Sequence, residues 1–186
     1  MTNLHHLAGE AVRQALEAGR TVATAESLTA GMVSAVLADT PGASGMLQGG
    51  VVAYRNSVKE AVLKVAGDLL AKVGSVDGGV ASAMAAGARA ALGADIGVST
   101  TGVAGPEPHD GKPVGTVYVG IATAGGAAAY EYHFEGTRPE IRGQACGAAL
   151  ERLLEALSPD QARQEPSQRR PLLPGVKLPG TKAGTD

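Results

Sequence analysis

Three apolar segments of this chain each run into the same kind of polar turn, and this pattern most constrains its fold. The turns are AESLTAG, AYRNSVK and STTGVAGP, which are rich in hydroxyls, small side chains and amide-bearing residues. Short runs of Val and Ala that end in such turns are typical of buried strands. Because functional sites in α/β sheets gather at the carboxyl ends of strands, we expect the three turns to surround one pocket.

Predicted helices and strands alternate along the chain, which favours an α/β fold, a three-layer αβα sandwich with a mixed β-sheet. We expect Asn56 and Asp77 to be N-caps, Gly19 to end the first helix, and AGG to join the last two strands as a hairpin. The predicted helices cover residues 4–18, 29–37, 56–65, 80–92 and 138–157, and residues 68–76 are predicted to form a short helix and a turn. The predicted strands cover residues 21–25, 46–54, 96–100, 114–123 and 127–134.

The length of 186 residues suits a single domain with a real core. We assign this domain to residues 1–157 and expect residues 158–186, which are rich in Pro, Gly and charge, to form a disordered tail. Aromatic residues make up only 3% of the chain, so the core must be built from Ala, Val, Leu and Ile.

Several classes of protein are disfavoured by charge and composition. The formal net charge is -2 and the domain has no basic stripe, which argues against nucleic-acid binding. The single cysteine, Cys146, cannot form an internal disulfide, suits a cytoplasmic protein, and is expected to be a small core residue. The N-terminus has no signal-peptide pattern, and no apolar run is long enough to span a membrane. The spacing of the four histidines favours no metal site.

The turn TTGVAGP is a candidate ligand-binding loop, because Gly102 and Gly105 let a backbone approach a ligand closely. Pockets rich in backbone N–H groups and hydroxyls suit a phosphorylated small molecule. The sequence has neither the dinucleotide fingerprint nor the P-loop, so an ordinary tight turn after a strand stays an open alternative.

Ser44, Tyr54 and Lys59 are the parts of a Ser-Lys hydrolase, in which a lysine activates the serine hydroxyl. Lys59 is expected in the first turn of a helix, where the helix dipole and partial burial would both lower its pKa. The alternative is a solvated surface lysine with Tyr54 as a packing residue.

Arg138 and Arg142, one helical turn apart, are expected to reach one anion unless both are solvated.

Four segments together resemble the C-terminal domain of the CinA family, which also occurs as a stand-alone nicotinamide mononucleotide (NMN) deamidase. They are TAESLTAG, PGASGMLQGGVVAYRNSVKEAVLKV, STTGVAGP and KPVGTVYVGIAT, and their order and spacing match over roughly residues 7–157. The family usually has ESCTGG where this chain has ESLTAG, with Leu28 and Ala30 at the differing positions.

The resemblance implies an amidohydrolase of pyridine nucleotide salvage, which converts NMN and water to nicotinic acid mononucleotide and ammonia without a cofactor or a metal. It implies a homo-oligomer, a dimer or larger. Family catalysis is attributed to residues that fall on Ser44, Tyr54 and Lys59, so the resemblance implies that Ser44 attacks the amide carbon and that Lys59 takes its proton, directly or through Tyr54. Ser27 falls on a second serine of the family, and sequence physics alone does not rank Ser44 against Ser27. The expected substrate-binding residues are Glu26, Thr29, Gly31, Gly45, Asn56, Thr101, Gly102, Ala104, Gly105, Arg138 and Arg142, with backbone N–H groups near Gly31 or Gly45 holding the oxyanion.

Two other functions stay open on sequence grounds. One is a nucleotide-binding protein without catalysis, linked to competence or DNA damage as the family name indicates. The other is an amidase for a different small substrate.

Overall fold

A mixed β-sheet forms the middle layer of the described part of the chain, which in this computed structural model is residues 2–158. The strand order is β2-β1-β3-β4-β5. The central strand β1 is parallel to β2 and β3, whereas β4 is antiparallel to both of its neighbours. The carboxyl ends of β1, β2 and β3 therefore lie at one edge. The strands are β1 (Val22–Glu26), β2 (Leu47–Val52), β3 (Ile96–Gly102), β4 (Thr116–Thr123) and β5 (Gly126–His133).

Helices cover both faces of the sheet, which confirms the predicted three-layer α/β architecture. One face packs against α1, α2 and α6 through an aliphatic core, and the other packs mainly against α5. The helices are α1 (Thr2–Ala18), α2 (Met32–Ala38), α3 (Asn56–Ala61), α4 (Gly67–Val73), α5 (Gly78–Leu92) and α6 (Arg138–Leu157), with a 3-10 turn at Ala43–Gly45. None of these helices is both long and apolar enough to cross a membrane.

Glycine lets α5 lie directly on the sheet. A Cβ atom at Gly97 in β3 would lie 2.0 Å from the carbonyl oxygen of Ala85, and one at Gly120 in β4 would lie 2.3 Å from that of Ala81. Both distances are far below van der Waals contact, so only glycine fits. The close helix–sheet approach compensates for the scarcity of aromatic side chains in the core.

Two predicted helix boundaries are wrong, and each has a local cause. The helix expected from residue 29 begins at Met32, because the Glu26 carboxylate holds residues 27–31 as turns. The helix expected to reach residue 65 ends at Ala61, and Asn56 is its first helical residue rather than its N-cap. The N-cap position is taken by Arg55, whose side chain makes no capping hydrogen bond.

Other local predictions are confirmed. Asp77 caps α5 by accepting a hydrogen bond from the backbone N–H of Gly79 at 2.7 Å. Gly19 follows α1 with a left-handed φ of 60°. The hairpin joins β4 to β5 where AGG was expected to turn the chain. The predicted tail lies outside the described residues, except for Ser158, which follows α6.

Candidate active site

Glu26, the last residue of β1, organises the turn that follows it. Its side chain is 1% exposed, and its two carboxylate oxygens accept hydrogen bonds from backbone and hydroxyl groups of residues 24–34. The donors are the hydroxyls of Thr24, Thr29 and Ser34 and the backbone N–H groups of Gly31, Val33 and Ser34, at 2.7–3.3 Å. Glu26 therefore lies beneath the site and shapes it. The expected direct contact between Glu26 and substrate does not fit these contacts.

Lys59 and Ser27 come together at the end of the sheet. Lys59 on α3 is fully buried, and its Nζ lies 3.3 Å from Ser27 Oγ. The same Nζ donates to the carbonyl oxygen of Ala53 at 2.9 Å and to that of Tyr54 at 3.4 Å. The sequence alternative of a solvated surface lysine is therefore wrong.

Burial also sets the proton affinity of this lysine. Desolvation lowers the pKa of Lys59 below its ordinary value of 10.5, and the negative charge of Asp110 partly opposes that shift. A buried lysine with a lowered pKa, next to a partly buried serine hydroxyl, has the chemistry of a general base beside a nucleophile.

Ser44 lies away from this pair. It is exposed in the 3-10 turn that precedes β2, whereas Tyr54 and Lys59 follow β2. An extended strand of this length carries the chain roughly 20 Å, at about 3.3 Å per residue. Within the chain, the structure therefore does not bring Ser44 to Lys59, and Gly45 lies with Ser44 at the far edge.

Tyr54 and Arg138 meet at the mouth of the cleft. Arg138 donates one hydrogen bond to the Tyr54 hydroxyl at 3.0 Å and another to the Gly105 carbonyl oxygen at 2.6 Å. Both side chains are exposed. Lys59 contacts the backbone carbonyl of Tyr54 and not its phenol, so the structure does not support a relay of the serine proton through Tyr54.

Arg142, one turn further along α6, has a different role from Arg138. Its guanidinium donates to the carbonyl oxygens of Leu28 and Thr29 at 2.9 and 2.8 Å. These bonds hold the turn after β1 against α6. The expected pairing of Arg138 and Arg142 on one anion is therefore wrong, because Arg142 is turned to the protein backbone.

A cleft of about 320 Å³ opens above the Ser27 end of the sheet, at the lower end of the range of small-molecule sites. All its walls come from turns at the carboxyl ends of the parallel strands, from α6 and from the turn before α5. Its lining residues are Ser27, Leu28, Tyr54, Ser75, residues 102–109 and Arg138. This set includes the expected Gly102, Ala104 and Gly105.

Other predicted binding residues support the cleft without lining it. Thr29 is buried and hydrogen-bonds Glu26 and the Thr100 hydroxyl, at 2.7 Å in each case. Thr101 donates to the carbonyl oxygen of Ser75 at 2.6 Å. Asn56 is exposed at the start of α3 and is not among the lining residues.

The two expected oxyanion donors are already engaged. The N–H of Gly31 donates to the Glu26 carboxylate at 2.9 Å, and the N–H of Gly45 donates to the Gly42 carbonyl oxygen at 3.0 Å.

Ser75 lines the cleft and was not predicted from the sequence. Its only sequence signal is a Gly-Ser turn before the helix capped by Asp77, and such turns are common.

No group of three or more His, Cys, Asp or Glu side chains within residues 2–158 is arranged to hold a metal ion. Cys146 is fully buried, and burial raises the pKa of its thiol to about 12. This agrees with a core role for Cys146.

Comparison with known proteins identifies the family. The model of the CinA C-terminal domain matches residues 4–157. The chain belongs to the CinA C-terminal domain family. A CinA-like protein of Frankia casuarinae is 47% identical over 131 residues, which are 70% of this chain and 30% of that relative. A CinA-like protein of Syntrophotalea carbinolica is 44% identical over 146 residues, 78% of this chain and 35% of that relative. The chain thus spans only a minor part of each relative's length.

Solved structures of the CinA family share this fold. The competence/damage inducible protein CihA from Agrobacterium tumefaciens is 33% identical with a TM-score of 0.79, over 83% of this chain and 95% of that one. A CinA superfamily protein from Klebsiella pneumoniae is 31% identical with a TM-score of 0.80, over 83% of this chain and 97% of that one.

Proposed function

We propose that this CinA-family domain is a nicotinamide-nucleotide amidohydrolase, which converts NMN and water to nicotinic acid mononucleotide and ammonia. The observation that carries the proposal is the burial of Lys59 with its Nζ 3.3 Å from Ser27 Oγ, at the end of a cleft of small-molecule size. The family resemblance supplies the substrate, and the Ser-Lys pair supplies a chemistry suited to a carboxamide.

The reaction follows the order of a serine amidase. Neutral Lys59 accepts the Ser27 proton as Ser27 Oγ attacks the carboxamide carbon of NMN, which gives a tetrahedral intermediate. The Lys59 ammonium then returns the proton to the amide nitrogen, the C–N bond breaks, and ammonia leaves an ester on Ser27. Water attacks the ester carbon with Lys59 again as the base. The acid product leaves and Ser27 regains its proton.

The environment of the pair supports these roles. The backbone N–H of Ser27 donates to the Thr100 carbonyl oxygen at 2.9 Å, which fixes the position of the nucleophile. Desolvation keeps the pKa of Lys59 low, so the amine is neutral at a lower pH than in free lysine. Between the two serines, these contacts favour Ser27 over Ser44 as the nucleophile.

The rim of the cleft supports a phosphorylated substrate. Arg138 is exposed there, and its bonds to Tyr54 and Gly105 use two of its five N–H groups, while Arg142 is turned to the backbone carbonyls of Leu28 and Thr29. We therefore assign the 5′-phosphate to Arg138, with the glycine-containing turn at residues 102–105 on the neighbouring wall.

The test incubates the purified chain with NMN and measures ammonia and nicotinic acid mononucleotide. We expect turnover by the wild type and by Ser44→Ala, and its loss in Ser27→Ala. Tight binding of NMN without ammonia release would instead indicate a nucleotide-binding protein without catalysis. Equal turnover of NMN, nicotinamide riboside and nicotinamide would indicate an amidase with no phosphate subsite.

A further inference from the structure

The loop between β3 and β4, residues 103–115, forms one wall of the cleft. Arg138 holds this loop at the Gly105 carbonyl oxygen, and Ser75 holds it at Asp110. Asp110 Oδ2 accepts a short hydrogen bond from the backbone N–H of Ser75 and another from the Ser75 hydroxyl at 2.8 Å. Ser75 lies in the turn between α4 and α5, and its side chain lines the cleft from the other side. The Asp110 carboxylate thus joins two walls of the cleft.

The backbone on both sides is shaped for this contact. Asp110 has a left-handed φ of 50°, which is uncommon for a residue other than glycine, and Gly111 after it has a φ of 71°. A Cβ atom at Gly74 would lie 2.5 Å from the Asp110 carboxyl carbon, so the carboxylate seats only against glycine. The contact depends both on the left-handed backbone of Asp110 and on the missing side chain of Gly74, which indicates that it is specific.

Asp110 also influences Lys59 through its charge. Its negative charge favours the ammonium form of Lys59, opposing the effect of burial. Burial alone would raise the pKa of Asp110, but the hydrogen bonds from Ser75 and the nearby His109 lower it, so the carboxylate stays charged. Besides Lys59, the charged or titratable groups at the end of β1, in the turns after β1 and β2, in α3 and in the loop 103–115 are Glu26, Tyr54, Arg55, Glu60, Glu107, His109, Asp110 and Lys112, and Arg138 on α6 lies at the cleft.

We propose that Asp110 is a positioning residue for the Ser27–Lys59 pair: it fastens the cleft loop to Ser75 and holds a negative charge towards Lys59. The effect expected on kcat/KM rests on the proposed function, whereas the effect expected on the titration of Lys59 does not. Asp110 acts through Lys59 and the loop and takes no part in bond making or breaking.

The direct test titrates the lysines of ε-¹³C-lysine-labelled protein by NMR, with the Lys59 signal assigned by its loss in Lys59→Met. Asp110→Asn keeps an acceptor oxygen for Ser75 but removes the charge. We expect its Lys59 midpoint to fall by about 0.5–1 pH unit, a partial effect because Asp110 is not deeply buried.

Asp95→Asn is the matched control. Asp95 accepts hydrogen bonds from the backbone N–H and hydroxyl of Thr21, both at 2.8 Å, in the way that Asp110 accepts from Ser75. It precedes β3, at the edge of the sheet opposite to the cleft. An unchanged midpoint in Asp110→Asn, or the same shift in Asp95→Asn, would overturn the proposal.

Two further readouts separate this proposal from the proposed function. If NMN is hydrolysed, the acid limb of kcat/KM in Asp110→Asn must move to lower pH by the same amount as the NMR midpoint. If NMN is not hydrolysed, the NMR result still decides the role of Asp110.

Ser75→Ala keeps the Asp110 charge and weakens the contact that fastens the loop, so we expect faster amide hydrogen exchange in residues 103–115 with the Lys59 midpoint unchanged. Unaltered exchange there would refute the fastening even if Asp110→Asn failed to fold.

Discussion

Lys59 Nζ lies 3.3 Å from Ser27 Oγ although 32 residues separate them in the chain. Parallel pairing of β1 with β2 creates this proximity, because Glu26 is in register with Val52 and the two strands end at the same level. The N–H of Ala53 then donates to the Glu26 carbonyl oxygen at 2.8 Å. The two turns that leave the strands therefore start side by side, with Ser27 on one and the carbonyls that hold Lys59 on the other.

The pH dependence of activity is expected to follow the proton on Lys59. Only the neutral amine can accept the serine proton, so kcat/KM should rise with pH as the ammonium is lost. Since burial lowers the pKa of Lys59, the midpoint should lie below 10.5. Lys59→Arg, which stays protonated, should lose at least about 100-fold in activity across the pH range. A midpoint at or above 10.5, or an active Lys59→Arg, would contradict the role of Lys59 as the base.

Glu26→Gln should destabilise the fold and disable the site together. The amide replaces one acceptor oxygen by a donor that faces backbone N–H groups, so we expect a loss of about 2–3 kcal/mol in the free energy of unfolding. Urea denaturation measures this loss. Glu17→Gln on the exposed face of α1 is the control and should change stability by less than about 0.5 kcal/mol. Equal effects of the two changes would show that the hydrogen bonds to Glu26 do not stabilise the turn.

Arg138→Gln should weaken binding of the phosphorylated substrate. Loss of the charged donor at the rim is expected to raise KM for NMN about tenfold with a smaller effect on kcat. Nicotinamide riboside, which lacks the phosphate, should be unaffected by the change. Arg13→Gln on α1, a helix that provides none of the lining residues, is the control. A similar rise in KM for both substrates would argue for a general defect in the cleft.

Ala30→Gly is expected to stabilise the protein. Ala30 is exposed and has a left-handed φ of 51°, a conformation that glycine adopts without strain. We expect a gain of about 0.5 kcal/mol, after the greater freedom of glycine in the unfolded chain is offset. Differential scanning calorimetry should show a higher Tm for Ala30→Gly. A lower Tm would mean that the alanine methyl contributes more than the strain removes.

Local patterns predicted the sheet, the helices, the Asp77 cap and a cleft among three turns. Ser44 shows where such patterns fail. It is close to Tyr54 and Lys59 in sequence, but an extended strand lies between them, and a strand separates its two ends by the greatest distance the chain allows. Ser27 is distant in sequence and close in space, since the strand register decides that proximity.

The role of Glu26 could not be predicted for a related reason. A carboxylate after a strand is equally compatible with binding substrate and with satisfying backbone N–H groups, and only the tertiary structure shows where those N–H groups point. The contact between Asp110 and Gly74 depends in the same way on two loops that share no sequence pattern. The predicted tail lies outside the described residues, so the expectation for it stays a prediction.

Ser27 is expected to form a covalent ester with the acyl group of NMN, and mass spectrometry of enzyme quenched during turnover detects such an ester. Ser27 and Ser44 fall in the same tryptic peptide, residues 21–55, so fragmentation of that peptide must locate the adduct. We expect an adduct with the mass of NMN less ammonia on Ser27, and no adduct in Ser27→Ala. An adduct on Ser44, or NMN turnover by Ser27→Ala at the wild-type rate, would show that Ser27 is not the nucleophile.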